Sequence, residues 1–501
     1  MNVLTLYTIA FATNAAILVF EITGGRLLAP YLGTSVGVWA GLIAVVLGGM
    51  ALGYHYGGRI GDQNASNERI GFVLFLAGIA ALTAFALRDV LPTWIAVPGI
   101  SVVTGSILIG TLLFVPTVVF LAAVSPLIAK NLIRDVHNSA KVVGELGAVG
   151  TAGSIAGALL SALVLIPLLG VDIILLGVAV LVLLLSYVVS RKNVGKRVLV
   201  LVFVVTCAVY FNSLPTKAAS VVADVSTAYN RIFVTKEDFN GPVLALWTSP
   251  FGIQCLMGVD ENGNVDETKL VATYQKAHEL IIETAFPAGP DRMLFLGGCV
   301  ESFTRYLLRK HPEAQATVLE IDPGIIEIAR KYFGFDESSF PTLSTLYEDA
   351  RIFMNRDHEL YDLIHLDAFG SAGRVPFQLV TEEMFERIAA HLTEDGIVIV
   401  NIHGAYEGEG ALYPFVYTKT LQSAFAHVAL YEFTGKPFAS QNLVLVASKS
   451  QELPEILRSK NGELVVTRVP VNDNVITLTD NYAPVEGIFL ESLKENPRLP
   501  L

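Results

Sequence analysis

Three strand-end acids and one glycine turn are the groups in this chain whose types and spacing could do chemistry. Residues 294–322 read LFLGGCVESFTRYLLRKHPEAQATVLEID. An apolar strand enters the turn Gly297–Gly298, a helix follows, and a second apolar strand ends in Glu320 and Asp322. Glycine lets a backbone approach a ligand closely, and a helix start offers free N–H groups. Glu320 lies 23 residues after the turn, the separation at which an acid accepts both hydroxyls of a ribose. Such a βαβ unit suits a nucleoside; the plain alternative is a solvated strand-end acid. Glu348 and Asp349 fall where a third strand should end. Asp349 reads equally well as an acceptor for an exocyclic adenine amine and as an N-cap before Ala350. The run Tyr361–Asp367, YDLIHLD, ends in an acid just before a loop marked by Gly370, Gly373 and Pro376. A carboxylate there can deprotonate an incoming amine, or hold it cationic until it attacks. Its plain alternative is a cap for the loop backbone. His365 shares a strand face with Asp367 and reads as a hydrogen-bonded core histidine before a proton relay. The chain has no HExxH or Walker loop. Strand-end acids without a metal-ligand cluster favour group transfer from a nucleoside carrier, with no metal.

The elements around these residues form a regular series. Strands at 292–296, 316–320, 360–366 and 396–401 alternate with helices at 300–310, 324–333, 350–356, 381–391 and 412–425. Alternation at this spacing predicts a mostly parallel, Rossmann-like sheet with helices on both faces, which binds ligands at the carboxyl ends of its strands. The end, near 427–447, reads as β again, and a helix over Leu270–Ala285 leads in. This α/β domain is expected over 269–501. Before it, 213–268 holds short alternating runs (Arg231–Val234, Val243–Trp247, Ile253–Gly258) separated by turns such as Glu261–Asn264, a small antiparallel β subdomain.

Residues 1–212 are of a different kind. The whole chain is 53% hydrophobic and only 16% charged, unusual for a soluble protein, and the apolar excess lies here. A helix needs about 20 apolar residues to cross the hydrocarbon core. Six segments qualify: 3–25, 36–57, 70–90, 102–128, 143–168 and 170–190. A seventh, 197–212, is short but uniformly apolar. Glycines crowd the second and fifth (Gly48, Gly49, Gly53, Gly57, Gly58; Gly150, Gly153, Gly157), as close helix packing in lipid requires. Glu21 is the one acid well inside a span. It either pairs with Arg26 to pin the bundle or binds a cationic headgroup or acceptor. Lys and Arg concentrate in the 59–69, 130–141 and 191–197 loops, which puts those loops inside. Six spans then leave the C-terminal half cytoplasmic, whereas a seventh places it outside. Sulfonium nucleosides are made in the cytosol, which favours a multi-pass protein of the plasma membrane with a cytoplasmic domain and 197–212 interfacial or re-entrant. The first apolar run is too long, and lacks the basic start, for a cleavable signal.

Net charge is −12, and all of the negative excess lies beyond residue 212. That argues against nucleic acid as a partner and suits a cationic substrate only weakly. Cys207, Cys255 and Cys299 form no CxxC pair, so neither a disulfide framework nor a zinc site is expected.

At these residues the chain resembles the spermidine synthase (aminopropyltransferase) family, and more closely the membrane-fused spermidine synthase-like proteins of bacteria. In the membrane half the resemblance rests on FEITGGRLLAPYLGTSVGVWAG (20–41) and GYHYGGRIGD (53–62). In the remainder it rests on AYNRIFV (228–234), FGIQ (251–254), YQKAHE (274–279), LEIDPGIIEIARKYFG (319–334), YDLIHLDAF (361–369) and TDNYAPVE (479–486). It implies an α-helical transmembrane bundle fused to an α/β Rossmann-like (class I methyltransferase-type) domain with a small N-terminal β subdomain. It further implies transfer of an aminopropyl group from decarboxylated S-adenosylmethionine to an amine, with release of methylthioadenosine. Carried over, Gly297 and Gly298 form the donor loop, Glu320 holds the ribose and Asp349 the adenine. Gln254, Tyr274 and Gln275 line the donor and acceptor channel, and Asp367 stands beside the nucleophilic amine. The family's loop GGGDGG reads GGCVES here (297–302). Val300 replaces the aspartate that grips the donor's amino group, with Glu301 as the adjacent substitute. The second aspartate of the acceptor loop is missing from AFGSAG (368–373), which opens a larger or membrane-borne amine, such as a lipid headgroup, as acceptor beside polyamines. Two alternatives stay open: a methyltransferase using S-adenosylmethionine itself, and a non-catalytic nucleoside sensor coupled to a polyamine or lipid transporter. A homodimer is likewise left open.

Overall fold

The computed structural model describes residues 1–95, 102–133, 135, 137, 139–213, 220–239, 241–249, 252–260, 262–369, 375–485 and 487–488. By its internal packing the chain divides into one unit of Met1–Ala219 with the turn Ser226–Asn230, and a second of Ser220–Val225 with Arg231–Leu501.

The first unit is helical. Its elements are α1 (Val3–Leu32), α2 (Val36–Gln63), α3 (Asn67–Leu87), α4 (Val90–Ile95), α5 (Val102–Leu113), α6 (Val115–Leu132), α7 (Ser139–Leu160), α8 (Ile166–Leu168), α9 (Val171–Val189) and α10 (Val194–Ser213). A π-helical turn, Ser161–Leu165, joins α7 to α8. Among the described residues, six helices meet both length and hydropathy for crossing a membrane: Val3–Leu32, Val36–Gln63, Asn67–Leu87, Val115–Leu132, Ser139–Leu168 and Val171–Val189. The segment expected as one span over 102–128 is broken at Phe114, with Pro116 in the first turn of α6, where proline loses no helical hydrogen bond. Side chains of Asn2, Ser35 and Ser66 cap α1, α2 and α3, and connections of a few residues make neighbouring helices antiparallel. Glycine sets the spacing. A Cβ on Gly57 would lie 2.6 Å from the Ala123 carbonyl oxygen, and one on Gly153 or Gly157 would overlap the carbonyls of Phe11 and Ala15. Backbones in contact replace the hydrophobic driving force that lipid removes.

The second unit holds two sheets. The smaller is an antiparallel meander of β1 (Val221–Ser226), β2 (Arg231–Asp238), β3 (Pro242–Ser249), β4 (Gly252–Val259) and β5 (Val265–Asp266). Helix α11 (Thr273–Ala285) follows. The larger sheet then builds from β6 (Arg292–Leu296), α12 (Ser302–Lys310), β7 (Gln315–Leu319), α13 (Pro323–Tyr332), β8 (Leu343–Leu346), α14 (Ala350–Met354), β9 (Tyr361–Leu366), α15 (Glu382–Ala390), β10 (Leu392–Gly404), α16 (Leu412–Leu421), β11 (His427–Glu432), β12 (Gln441–Ser448), β13 (Ile456–Arg458) and β14 (Val465–Val469). Its order is β13-β14-β11-β12-β10-β9-β6-β7-β8. The five strands from β10 to β8 are parallel, and β12 adds antiparallel to β10. This is the expected class I methyltransferase-type sheet. One face shares a core with the small sheet through Ile232, Leu246, Met293, Phe295 and Ile399. The other buries Leu294, Leu296, Ile364, Phe385 and Val400 beneath the helices. Strand order reverses between β6 and β9, so a crevice opens beyond their carboxyl ends.

Gly153→Val is expected to lower stability by about 1–3 kcal/mol, because the added atoms displace the α1 backbone. Thermal unfolding in detergent checks this; an unchanged midpoint would contradict the contact.

Candidate active site

β6 and β9 deliver the two central residues. Gly297 follows β6 with φ 99°, a left-handed conformation that favours glycine, and a Cβ there would lie 2.7 Å from the Asp367 carbonyl oxygen. The Asp367 N–H in turn donates to the Leu296 carbonyl at 3.1 Å. The glycine turn and the candidate base are therefore held as one piece of backbone.

β7 supplies Glu320, which is buried. Its Oε2 accepts the N–H groups of Gly298 (3.4 Å) and Cys299 (3.2 Å), and its Oε1 accepts that of Asp322 at 3.0 Å. A carboxylate offers about four acceptor sites, two per oxygen; Oε2 already holds two donors and Oε1 one, so Oε1 keeps room for a further donor. Asp322 caps α13 through the Gly324 N–H. Asp349, beyond β8, accepts the N–H groups of Arg351 (2.8 Å) and Ile352 (3.1 Å) as the N-cap of α14. The capping half of its double reading is thus realised, two strands out from β6.

The rest of the loop departs from a glycine-rich one. Cys299 and Glu301 adopt left-handed φ values of 48° and 59°, costing of order 1–3 kcal/mol each. Val300 is fully buried in the core. Glu301 turns inward, fully buried, with Oε1 accepting from Thr345 Oγ1 of β8 at 3.2 Å. Cys299 is disulfide-bonded to Cys255 of β4, which corrects the expectation of unpaired cysteines. The partners lie 44 residues apart; spacing rules see only local pairs, whereas the small sheet folds against the glycine loop. Gln254 precedes Cys255 on β4 and is half-buried.

α11 contributes Tyr274 and Gln275. The buried Tyr274 hydroxyl hydrogen-bonds Asp367. Gln275 Nε2 donates to Ser302 Oγ at 3.2 Å, tying α11 to the start of α12. One turn on, His278 Nδ1 meets His365 Nε2 at 2.9 Å between Phe295 and Phe303. His365 is the hydrogen-bonded core histidine the strand pattern suggested, and burial holds it down to about 3. Of the Gly/Pro-marked loop after Asp367, residues 370–374, including Gly370 and Gly373, lie outside the described residues, as do Phe251 and Glu486 of the quoted motifs.

Three functional candidates escaped the sequence. Asp367 Oδ1 accepts from Asn401 Nδ2 at 2.8 Å; Asn401 Oδ1 accepts from Asn442 Nδ2 at 3.0 Å; and Asn442 lies 2.9 Å from His403 Nε2. Asn401 follows Val400, which pairs with Leu366 in register, so the next residue of β10 faces Asp367. The visible signal was one amide interrupting the apolar run GIVIVNIHG.

Burial lifts all three acids of this crevice: Asp367 to about 6, against hydrogen bonds from Asn401 and Tyr274; Glu320 to about 7; and Glu301 to about 8. A carboxyl lifted by burial is returned to its charged form by a cation placed beside it.

A raised folded pKa fixes the sign of one pH dependence. The Glu301 carboxyl keeps in the folded state a proton that the unfolded chain has lost, so its contribution to stability is complete at low pH. That contribution is lost as pH rises between about 4.5 and 8. Glu301→Gln removes this titration. The urea midpoint of the variant relative to wild type is expected to climb across that window; a constant offset would contradict the assignment.

Known proteins resemble this chain in sequence. Residues 275–460 match the family model for the spermine/spermidine synthase domain. A polyamine aminopropyltransferase of Vibrio vulnificus is 31% identical over 214 residues, covering 40% of this chain and 70% of the relative. Polyamine aminopropyltransferase 2 of Pseudomonas aeruginosa is 29% identical over 181 residues, covering 34% of this chain and 50% of the relative. A "Probable polyamine aminopropyl transferase" of Bifidobacterium longum is 28% identical over 227 residues, covering 40% and 50%. The chain thus spans half the length of the latter two. Among solved structures, a probable spermidine synthase from Corynebacterium glutamicum aligns with TM-score 0.41 at 17% identity, over 50% of this chain and 91% of that one. On the sequence matches, the chain belongs to the spermidine synthase-like family.

Proposed function

We propose that the chain is a membrane-bound aminopropyltransferase, moving an aminopropyl group from decarboxylated S-adenosylmethionine to an amine and releasing methylthioadenosine. The observation that carries this reading is the convergence of Gly297, Gly298, the buried Glu320 and the half-buried Asp367 at the strand-order reversal, with both acids lifted as a cation site would require. Glu320 would take the ribose hydroxyls, Asp349 the adenine edge, and Gln254 and Gln275 the walls. Glu301, turned inward to Thr345, would act on the donor's amino group only after a side-chain rotation.

In the transfer the amine nitrogen forms a bond to the carbon next to sulfur. The carbon–sulfur bond breaks and its electron pair stays on sulfur. The nitrogen loses one proton, which Asp367 accepts. A carboxyl titrating near 6 is largely ionised at neutral pH yet basic enough to take that proton. Tyr274 and Asn401 aim it, and the dry setting aligns and desolvates the nucleophile. The acceptor is proposed to be a polyamine or a lipid headgroup amine, the latter motivated by the fused membrane helices and the missing second acceptor-loop acid.

A second reading, methyl transfer from S-adenosylmethionine, is favoured by Val300. An apolar, fully buried side chain stands where the family's amino-gripping aspartate would be.

The products separate the two: mass spectrometry should find methylthioadenosine for the first and S-adenosylhomocysteine for the second. Asp367→Asn is expected to cut turnover by about 10²–10⁴-fold, far more than it lowers donor affinity. Equal losses in both would refute the base role. Glu320→Gln should mainly weaken donor binding, measured by calorimetry, and unchanged affinity would remove it from the ribose site.

A further inference from the structure

The helical unit carries a sidedness that neither family membership nor the proposed chemistry assigns. Nine of the eleven Lys and Arg residues of 1–212 flank three connections: α2 to α3, α6 to α7 and α9 to α10. These connections share one face. Lys130 pairs with Asp62 at 3.3 Å and Lys192 with Glu68 at 2.8 Å. On the opposite face Arg88, at the end of α3, pairs with Asp172 at the start of α9 at 2.6 Å. The remaining cation, Arg26, lies near the end of α1 on that second face.

α10 decides where the chain goes next. It begins on the basic face, where Arg197 donates to Ser186 Oγ (3.2 Å) and the Ser190 carbonyl (3.1 Å) at the end of α9. It continues as one helix of 20 residues, about 30 Å long, enough to cross the hydrocarbon core. The chain then reappears on the second face. The turn Ser226–Asn230 belongs to the helical unit, and Arg26 donates to the carbonyls of Thr227 and Tyr229. A Cβ on Gly170, the residue before α9, would lie 3.5 Å from Ser226. Two independent features therefore put the chain beyond α10 opposite the basic loops. A third comes from chemistry: the Cys255–Cys299 disulfide is of a kind that persists in oxidising compartments and is rare in the cytosol.

We infer that α10 is a seventh crossing and that the α/β domain works on the extracytoplasmic, oxidising face, with the disulfide as a standing cross-link of its glycine loop. The cytoplasmic placement expected from the sequence rested on the cytosolic origin of sulfonium nucleosides, with 197–212 taken as interfacial or re-entrant. A sulfonium nucleoside made in the cytosol then needs a membrane-transport step before it meets this site.

The test uses the full-length protein in intact cells. In a Cys207→Ser background, Asp473→Cys places a reporter on an exposed position of the α/β domain, and Lys192→Cys one on the basic face. A membrane-impermeant maleimide should label Asp473→Cys before permeabilisation and Lys192→Cys only after it. The reverse order overturns the inference. Independently, acid-quenched, denatured wild-type protein should offer one alkylatable thiol without reductant and three with it; three in both conditions also overturns it. Both readouts are independent of any transfer activity, so a failure of the proposed chemistry leaves them interpretable.

Discussion

At Gly297 the backbone of one strand end lies against the carbonyl of Asp367 on its neighbour, with no room for a side chain between them. Everything proposed for the site depends on that approach. It is available because β6 and β9 are adjacent parallel strands at the reversal of strand order, where both following loops point out of the sheet. It fixes the donor turn and the candidate base relative to each other through backbone alone. Loop variation elsewhere, such as Val300 for an acid, then leaves the central geometry intact.

Burial converts this geometry into chemistry. Glu320 is oriented by three backbone N–H groups and Asp367 by an amide and a phenol, so neither acid relies on water to hold its direction. The same burial raises their proton affinity, because ordered amides only partly offset the loss of solvent. A sulfonium ion bound here would place a positive charge beside these acids, next to the carbon that the proposed transfer attacks. The chain Asp367–Asn401–Asn442–His403 extends the oriented network across β10 and β12 and gives Asp367 a fixed rotamer before any ligand arrives.

Much of this was legible in residue order. The strand–helix alternation gave the parallel sheet. The glycine turn and the acids at 320 and 367 gave the crevice, because strand ends in such sheets are where ligand groups must lie. The rest depended on pairings that no local pattern carries. Asn401 and Asn442 face Asp367 only because β10 and β12 take a particular register. Cys255 meets Cys299 only because the small sheet packs on the loop. Asp349 illustrates the middle case: its residue type fitted both a cap and a base contact, and the backbone shows the cap. In the membrane half, the length of α10 escaped a reading by hydropathy because Lys196 and Arg197 shorten the apolar run, although the helix itself begins before them.

The central claim is that the buried acids at the crevice are there for a cation. Calorimetric titration with decarboxylated S-adenosylmethionine and with methylthioadenosine, near pH 6.5 in buffers of different ionisation enthalpy, tests it directly. The account predicts tighter binding of the cation than of the neutral thioether, together with proton release on binding the cation alone. Equal affinities with no proton release would contradict it.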